Sequence, residues 1–468
     1  MVYLRNEFLK RFCSTKAVSY IYSCSFCFLL SSILITNFYM TVAKAGGFAI
    51  REQSTSSLGA AFAGNAAGND LSTIYWNPAG VATAGKGITT ESHASVLLPS
   101  AKIDAADNQA LAQDVGGLFG PLPAGPNDID KVALVPASYA AWRLTDKLTI
   151  GYGFNAPFGL ASEADDKVYA GQYDFREAEL KTYNFNPVIG YQISDALSIG
   201  FGLQAQYSDL NLKQAIIAGG AAVNDPSANV NVDDWGFGFT AGLMWRPVKG
   251  TSIGVGYRSR INNTLEGTLD VDGIPSRSQF VKADLDLPEI VTVSLRQDLT
   301  SNLRVLGTFE WTNWSILQTV NLVDKDTGAA VTTVNPGNVF AGAQPLTIEA
   351  NWDDGYFLSG GFEYDYSDQL TLRTGIAYEW SPIQKATQRL VTVPDADRLW
   401  LSVGATYKYN EKVTFDVAYT HIFVDDGDIL RPTGLVAESE SSIDIIGVSM
   451  KTKWGADGPF GLLKGLSR

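Results

Sequence analysis

The chain's only two imidazoles are His93 and His421, and acid–base chemistry near neutral pH falls first to side chains of that kind. Neither stands in a catalytic pattern. In Tyr419-Thr420-His421 a nucleophile able to use the histidine would lie two positions along, on the same strand face. Position 423 is Phe, so the nucleophile–base pairing fails and His421 reads as an interfacial side chain. Asp425-Asp426-Gly427-Asp428 bunches carboxylates but lacks the ligand spacing and terminal Glu of a calcium loop. It reads as a solvated outer loop able to hold a divalent ion weakly. Gly200-x-Gly202 and Gly236-x-Gly238 precede no helix, so they read as lumen-facing strand glycines and not as phosphate cradles. Cys13, Cys24 and Cys27, the only cysteines, lie in the first 45 residues. No thiol, disulfide or cysteine metal site is available downstream. The chain therefore reads as no enzyme, with no catalytic residue, no metal ligand set and no cofactor.

With chemistry set aside, the question becomes which elements the remaining signals must serve, and the N-terminus gives the compartment. Residues 1–16 hold Arg5, Lys10, Arg11 and Lys16 against Glu7. An apolar run over 17–42 follows, then Ala43-Lys44-Ala45. That is the layout of a secretory signal peptide over residues 1–45, with cleavage expected after Ala45; the apolar run is longer than the usual signal core, and an uncleaved membrane anchor is the alternative. Removing it takes five of the 35 bases and one of the 49 acids, leaving 30 against 48, a net charge of −18. So acidic a surface repels a phosphate backbone, and nucleic acid is excluded as a partner. Beyond the leader no stretch is apolar enough, for long enough, to form a transmembrane helix. Aromatics nevertheless make up 11% of the chain. An exported, aromatic-rich chain without membrane helices points to an outer-membrane barrel. The competing class is a soluble all-β domain.

Period-2 runs recur throughout. Apolar side chains take even positions from 148 to 154 and odd positions over 197–203, 235–245 and 413–419, as in half-buried strands. Alternation alone does not choose between sandwich and barrel, but the connections do. Fourteen strands are expected, near 86–103, 131–144, 147–158, 174–193, 196–213, 233–247, 251–271, 281–298, 303–322, 351–366, 369–382, 397–409, 412–425 and 442–454. Every second connection is tiny, as at Thr145-Asp146, Ser194-Asp195, Ser367-Asp368 and Asn410-Glu411, and those between are long. Strict short–long alternation marks a bacterial barrel with tight periplasmic turns and long outer loops. Strands of about 12 to 20 residues exceed the ~9–11 needed to cross the membrane, so the barrel should rise above it. Trp142, Trp245, Trp311, Trp314, Trp380 and Trp454 near strand ends fit aromatic girdles. Arg258, Arg296, Arg304, Glu310, Glu363, Asp365, Arg373, Glu379, Lys408 and Asp416 fall on the lumen phase. Charges of both signs on a lumen wall are expected to pair and stiffen it.

Residues 46–85, GGFAIREQSTSSLGAAFAGNAAGNDLSTIYWNPAGVATAG, hold too few large apolar side chains to bury a core. Their Gly, Ala, Ser and Asn suit backbone that runs close against other surfaces, which reads as a plug inside the barrel. A loose N-terminal linker is the plainer alternative. Gly47-Phe48, just past the cleavage point, and Asn77-Pro78-Ala79 resemble the hatch of the FadL family of outer-membrane long-chain fatty acid transporters (the OMPP1/FadL/TodX type). Further stretches resemble the same family in the same order. They are Trp235-Gly-Phe-Gly-Phe, Tyr257-Arg258-Ser259, Leu287-Pro288-Glu289, Arg373-Thr-Gly-Ile-Ala377 and Pro394-Asp-Ala-Asp-Arg398-Leu-Trp400-Leu-Ser402.

Together these readings give an all-β fold, a transmembrane antiparallel β-barrel of about fourteen strands with an N-terminal hatch in its lumen. The domains are a signal peptide (1–45), the hatch or plug (46–85), the barrel (86–454) and a C-terminal extension (455–468). Gly47, Phe48, Asn77, Pro78 and Ala79 are the candidate ligand-binding and hatch positions. The third strand alternates from Leu148 to Phe154 and then meets Asn155-Ala156-Pro157-Phe158-Gly159. Proline cannot donate to a ladder and a closed barrel has no edge to hide it. A lateral opening at Pro157, Phe158 and Gly159 is therefore expected, and it coincides with the family's kinked third strand; the plainer alternative is that Pro157 lies beyond the membrane, at the strand's outer end. The resemblance implies passive import of long-chain fatty acids or other hydrophobic small molecules through a hatch-gated barrel, with sideways release. The expected setting is a multi-pass monomer in the outer membrane of a Gram-negative cell, among outer-membrane lipid and lipopolysaccharide. The alternatives are a general porin for small solutes and a surface receptor or adhesin barrel without transport.

Overall fold

The computed structural model describes residues 46–68, 70–106, 122–217, 224–334 and 343–455. The expected signal peptide and residues 456–468 of the expected extension lie outside the described residues.

Fourteen antiparallel strands close on themselves. In chain order they are β1 (Gly87–Ala105), β2 (Ala133–Arg143) and β3, in two pieces (Leu148–Asn155 and Gly159–Glu163). Next come β4 (Glu177–Gln192), β5 (Leu197–Ala215) and β6 (Ser227–Trp245). Two more strands are split, β7 (Thr251–Arg258 and Thr264–Val271) and β8 (Gln279–Asp284 and Ile290–Asp298). The wall continues with β9 (Leu303–Thr312), β10 (Gly355–Asp365), β11 (Leu370–Trp380), β12 (Arg398–Lys408), β13 (Val413–Val424) and β14 (Val436–Gly455). β14 pairs back onto β1 from Ile88↔Gly455 to Ala105↔Ala437, which leaves no free edge to face lipid. Tight turns are fastened locally by the oxygen-bearing side chains that the sequence places there. Leu148 N donates to Thr145 Oγ1, Leu303 N to Thr300 Oγ1, Leu370 N to Ser367 Oγ, and Val413 N to Asn410 Oδ1, the local bonding that makes Ser, Thr and Asn turn formers.

The side-chain phase of β6 marks where lipid begins and ends. From Trp235 to Trp245 the outward positions are Trp235, Phe237, Phe239, Leu243 and Trp245, all exposed apolar side chains, a stretch matching the ~9–11 residues that cross a bilayer. Above Trp235 the pattern inverts. Asn231 and Asp233 face outward while Ala228, Val230 and Val232 are buried inside. β14 repeats this, with Ile446, Val448 and Met450 outward below and Ile443 and Ile445 buried above. Water outside and a greasy lumen inside require that inversion once the wall clears the membrane.

Residues 46–68 and 70–84 lie within the barrel and are almost wholly buried. They form one short helix, α1 (Thr55–Leu58), and 3₁₀ turns over Asn65–Ala67, Leu71–Tyr75 and Pro78–Thr83. The segment packs backbone-first onto wall glycines. A side chain at Gly254 would overlap the Ala66 carbonyl, one at Gly256 the Trp76 carbonyl, and one at Gly375 the Ala60 backbone. Gly200, read above as a lumen-facing glycine, lies against Pro78 and Ala79 in the same way.

Several boundaries differ from the sequence reading. β6 starts at Ser227 and β14 at Val436, six residues before the expected 233 and 442, because their upper parts carry the inverted pattern. β9 ends at Thr312 and a 3₁₀ turn over Trp314–Ile316 follows. That turn carries Trp314 into the lumen, where it is buried, so Trp314 belongs to no girdle. Asp425 to Asp428 is not wholly a loop, since Gly427–Leu430 pairs with β14.

Gly256→Val is expected to leave the barrel's heat-modifiable gel migration intact while unseating residues 46–84. Limited thermolysin digestion of the purified protein checks this, since the variant's N-terminal segment should be cut under conditions that spare the parent.

Candidate functional site

β3 pairs with β2 only from Arg143↔Thr149 to Ser138↔Phe154. Beyond that point β2 continues against β1 alone, and β3 continues against β4. The β3–β4 register passes from Asn155↔Asn184 to Gly159↔Lys181. Four steps along β3 thus answer three along β4, so one extra residue is accommodated there as a bulge. Pro157 sits in this bulge, as a residue without an N–H must when no edge strand exists.

The N-terminal segment covers the break. Ile50 N donates to Pro157 O at 2.8 Å, Gly159 N donates to Phe48 O at 2.8 Å, and Ala49 bridges Phe158 in antiparallel fashion. Residues 48–50 therefore act as a short strand laid on the inside of the wall. Behind them the Phe48 ring meets Trp314 at 4.6 Å, Trp352 at 5.7 Å and Phe158 at 6.2 Å between centroids, with tilted or edge-on geometry. Such pairs contribute about 0.5–1.5 kcal/mol each beyond burial. Gly47 turns the chain into this nest with φ +61°, and a Cβ there would lie 2.9 Å from the Trp314 ring. Its N–H donates to Asp395 Oδ2 at 2.9 Å. Asp395 also accepts from Ser381 Oγ at 2.7 Å and Arg398 Nε at 2.8 Å. Burial pushes the Asp395 carboxyl above its ordinary value, while the Arg398 charge pulls it back.

Below the nest, one arginine fixes the segment to the wall. Arg51 pairs with Glu310 on β9 and, at 3.0 Å, with Glu379 on β11. Its guanidinium lies 4.1 Å from the Phe357 ring centroid, and Trp400 Nε1 donates to Glu379 Oε2 at 3.2 Å. Arg258 stacks over Tyr75 at 4.4 Å and donates to the Tyr75 carbonyl. The space between Tyr75, Trp76, Arg258 and Glu310 amounts to about 10 Å³, roughly a single water. Farther along the wall, Glu363 gathers Arg296, Arg304 and Arg373, so these lumen charges pair as expected, whereas Arg258 meets Tyr75 and Gln204 and no acid among the described residues. Glu52 is fully buried, and neither carboxylate oxygen has a hydrogen-bond partner among the described residues.

Asn77, Pro78 and Ala79 lie elsewhere, against the short-turn end of β5 and β6. Asn77 Nδ2 donates to Ala66 O at 2.8 Å and Leu243 O at 3.0 Å, and Asn77 Oδ1 accepts from Ala79 N. Pro78 opens the 3₁₀ turn that Asn77 caps, which suits its fixed φ. The candidate residues thus form two groups. Gly47 and Phe48 join Pro157, Phe158 and Gly159, and the Asn-Pro-Ala turn anchors the far end. His93 Nδ1 accepts from Thr55 N at 3.1 Å, steadying α1. His421 shares Asp444 with Tyr419 on the outer face of the wall, at 2.7 Å and 2.6 Å.

Sequence reasoning missed Trp352 and Gln53, and it left Arg51 unpaired. For Arg51 a signal was present, because it is the only basic residue between 46 and 85 and the lumen phase held acids to receive it. For Trp314, proximity to a strand end gave the opposite assignment.

On the outer side a groove of about 480 Å³ opens between Leu212, Leu346, Ile348, Leu390, Val391 and Arg431. Arg431 faces Asp174 at 3.5 Å.

Residues 36–454 match the family profile described as outer membrane protein transport protein (OMPP1/FadL/TodX). Outer membrane protein P1 of Haemophilus influenzae is 28% identical over 435 residues, covering 81% of this chain and 86% of that protein. A long-chain fatty acid transport protein of Escherichia coli O6:H1 is 28% identical over 419 residues, covering 82% and 88%. Among solved structures, a Pseudomonas aeruginosa FadL homologue shares the fold with a TM-score of 0.75 at 22% identity, covering 87% of this chain and 99% of that one. The toluene transporter TodX of Pseudomonas putida does so at 0.61 and 14% identity, covering 82% and 94%.

Arg51→Met strands two buried carboxylates, and breaking such a pair costs about 3–5 kcal/mol. In urea titrations followed by protease resistance, the segment should release at lower denaturant than in the parent. Adding Glu310→Gln and Glu379→Gln should recover most of the loss.

Proposed function

Because the chain belongs to the outer membrane protein transport family (OMPP1/FadL/TodX) and is an outer-membrane transporter of hydrophobic compounds, we propose that it imports long-chain fatty acids or similar hydrophobes passively. Residues 46–84 serve as a movable hatch, and release runs through the wall at β3. The observation that carries this reading is the pairing of residues 48–50 with the break at Pro157. A hatch whose leading edge lies on the wall's own discontinuity links movement of the one to exposure of the other.

The physics of the cargo supports each step. A long acyl chain gains about 0.8 kcal/mol per methylene on leaving water, so it partitions onto apolar surface and gains nothing from a water-filled pore. Capture falls to the outer groove, where Leu212, Leu346, Ile348 and Leu390 offer apolar wall beside Arg431. The tall barrel carries that groove above the anionic lipopolysaccharide layer. The aromatic nest around Phe48 is the next apolar station, and a ligand entering it competes with the Phe48 ring for Trp314 and Trp352. Glu52 favours release of the hatch, because burial takes its carboxylate out of water and makes the seated state less stable. In the membrane an unpaired amide or carbonyl costs several kcal/mol, so the opened break is tolerable only while it faces protein, ligand or a wet path.

A general porin fits less well. Residues 46–68 and 70–84 fill the lumen with buried side chains, and the cavity between Tyr75 and Arg258 holds about one water, where a porin needs a continuous aqueous channel.

Deleting Pro157 and adding Gly159→Val removes the extra residue, so β3 and β4 stay in one register. Labelled oleate uptake by cells carrying this variant should fall to near background, with the amount of folded barrel and the ligand bound by purified protein unchanged. Uptake equal to the parent would remove the lateral exit, and steady ion conductance of the parent in planar bilayers would favour the porin.

A further inference from the structure

The parting of β3 from β2 and its bulge against β4 leave backbone groups of residues 156–159 outside the ladders, and substitutes meet them. Thr182 Oγ1 accepts from Phe158 N at 2.9 Å and donates to Phe158 O at 2.6 Å. The carbonyl of Pro157 and the N–H of Gly159 bond the hatch backbone at Ile50 and Phe48. Ala156 differs from these, because its two groups meet a single side chain of the hatch. Gln53 Nε2 donates to Ala156 O at 2.8 Å, and Ala156 N donates to Gln53 Oε1 at 3.3 Å. One primary amide thereby reproduces the donor–acceptor pair that a neighbouring strand would present.

Gln53 is held for this task from both sides. Its side chain also donates to Ile50 O at 3.2 Å, and its backbone carbonyl accepts from Tyr139 OH at 2.9 Å. The same hydroxyl accepts from Asn155 Nδ2 at 2.8 Å. A chain of bonds therefore runs from β2 through Tyr139 to Asn155, the last paired residue before the break, and to Gln53. Gln53 is fully buried, so water does not compete for Ala156 while the amide stays in place. Losing it would strand a buried N–H and C=O together.

We propose that Gln53 is the positioning residue that latches the hatch to the wall opening, holding the break closed until its amide leaves Ala156. This rests on the reading of the β3 break as the exit. A ligand that displaces Phe48 pulls on a segment only five residues from Gln53, so nest and latch release together. The latch sets the rate of release and the retention of cargo, and it touches no substrate itself.

The test uses the full mature protein in lipid nanodiscs, with hydrogen exchange read by mass spectrometry. Gln53→Met keeps the side chain's length and removes both bonds. Exchange over residues 155–159 should rise about fivefold or more, the factor that one hydrogen bond of ordinary strength confers. Peptides over Thr55–Leu58 and Pro78–Thr83 should not change. Gln53→Glu keeps an acceptor for Ala156 N and loses the donor, so it should fall between parent and Gln53→Met. With oleate as probe in proteoliposomes, Gln53→Met should raise both the maximal release rate and the half-saturating concentration. Unchanged exchange at 155–159, or loosening spread evenly over the whole hatch, would overturn the latch. Exchange that rises locally while transport stays at the parent level upholds the latch and removes the lateral exit instead. Should Gln53→Met fail to reach the membrane, Tyr139→Phe removes the hydroxyl that steadies Gln53 and should give the same local rise. No rise in that variant overturns the proposal.

Discussion

A polypeptide in a bilayer must satisfy its own backbone, because hydrocarbon supplies no partner for an N–H or a C=O. Most of this molecule meets that demand through fourteen strands that close without an edge. β3 interrupts that closure. β3 parts from β2 beyond Phe154 and slips one residue against β4, and the groups exposed there are met from inside by residues 48–50, by Gln53 and by Thr182. The wall is complete only with the N-terminal segment in place, and that dependence makes the segment a credible gate.

The same segment could not fold alone. It owns few large apolar side chains, and its helix and turns are each too short to persist unaided. Its order comes from the barrel, whose glycines let backbone approach backbone at Ala60, Ala66 and Trp76 and whose acids receive Arg51. Phe62 and Trp76 add apolar contact with Phe357 and Trp400 of the wall. The burial of the Glu52 carboxylate opposes these contacts. A gate must be held firmly enough to close the break and loosely enough to leave it.

Much of this was legible in the sequence. The alternation around Phe201 and Phe237, the tiny turns at Thr145 and Ser367, and the proline at 157 sufficed for the barrel and for the place of its break. Where the reading fell short, the cause was a change of solvent. Apolar-outward alternation was the strand signal, so the upper part of β6, where Val230 and Val232 turn inward, passed for loop. Trp314 obeyed the girdle rule by position and broke it because a 3₁₀ turn redirects the chain. The contacts of Gln53 and Arg51 span more than a hundred residues, and spacing along a strand carries no information about such partners.

The central claim is that the leading edge of the N-terminal segment leaves the β3 break during transport. Ala49 and Phe158 form a pair flanked by the bonds of Ile50 to Pro157 and Gly159 to Phe48. In antiparallel geometry that places their Cα atoms about 4.5 Å apart, within reach of a disulfide. No cysteine occurs from Gly46 onward, so an Ala49→Cys/Phe158→Cys protein can be locked by oxidation and freed by reduction without side pairings. Oleate transport by this protein in proteoliposomes should stop when it is oxidised and return when the same sample is reduced. Equal transport in the two states, with the disulfide verified by mass spectrometry, would contradict the account.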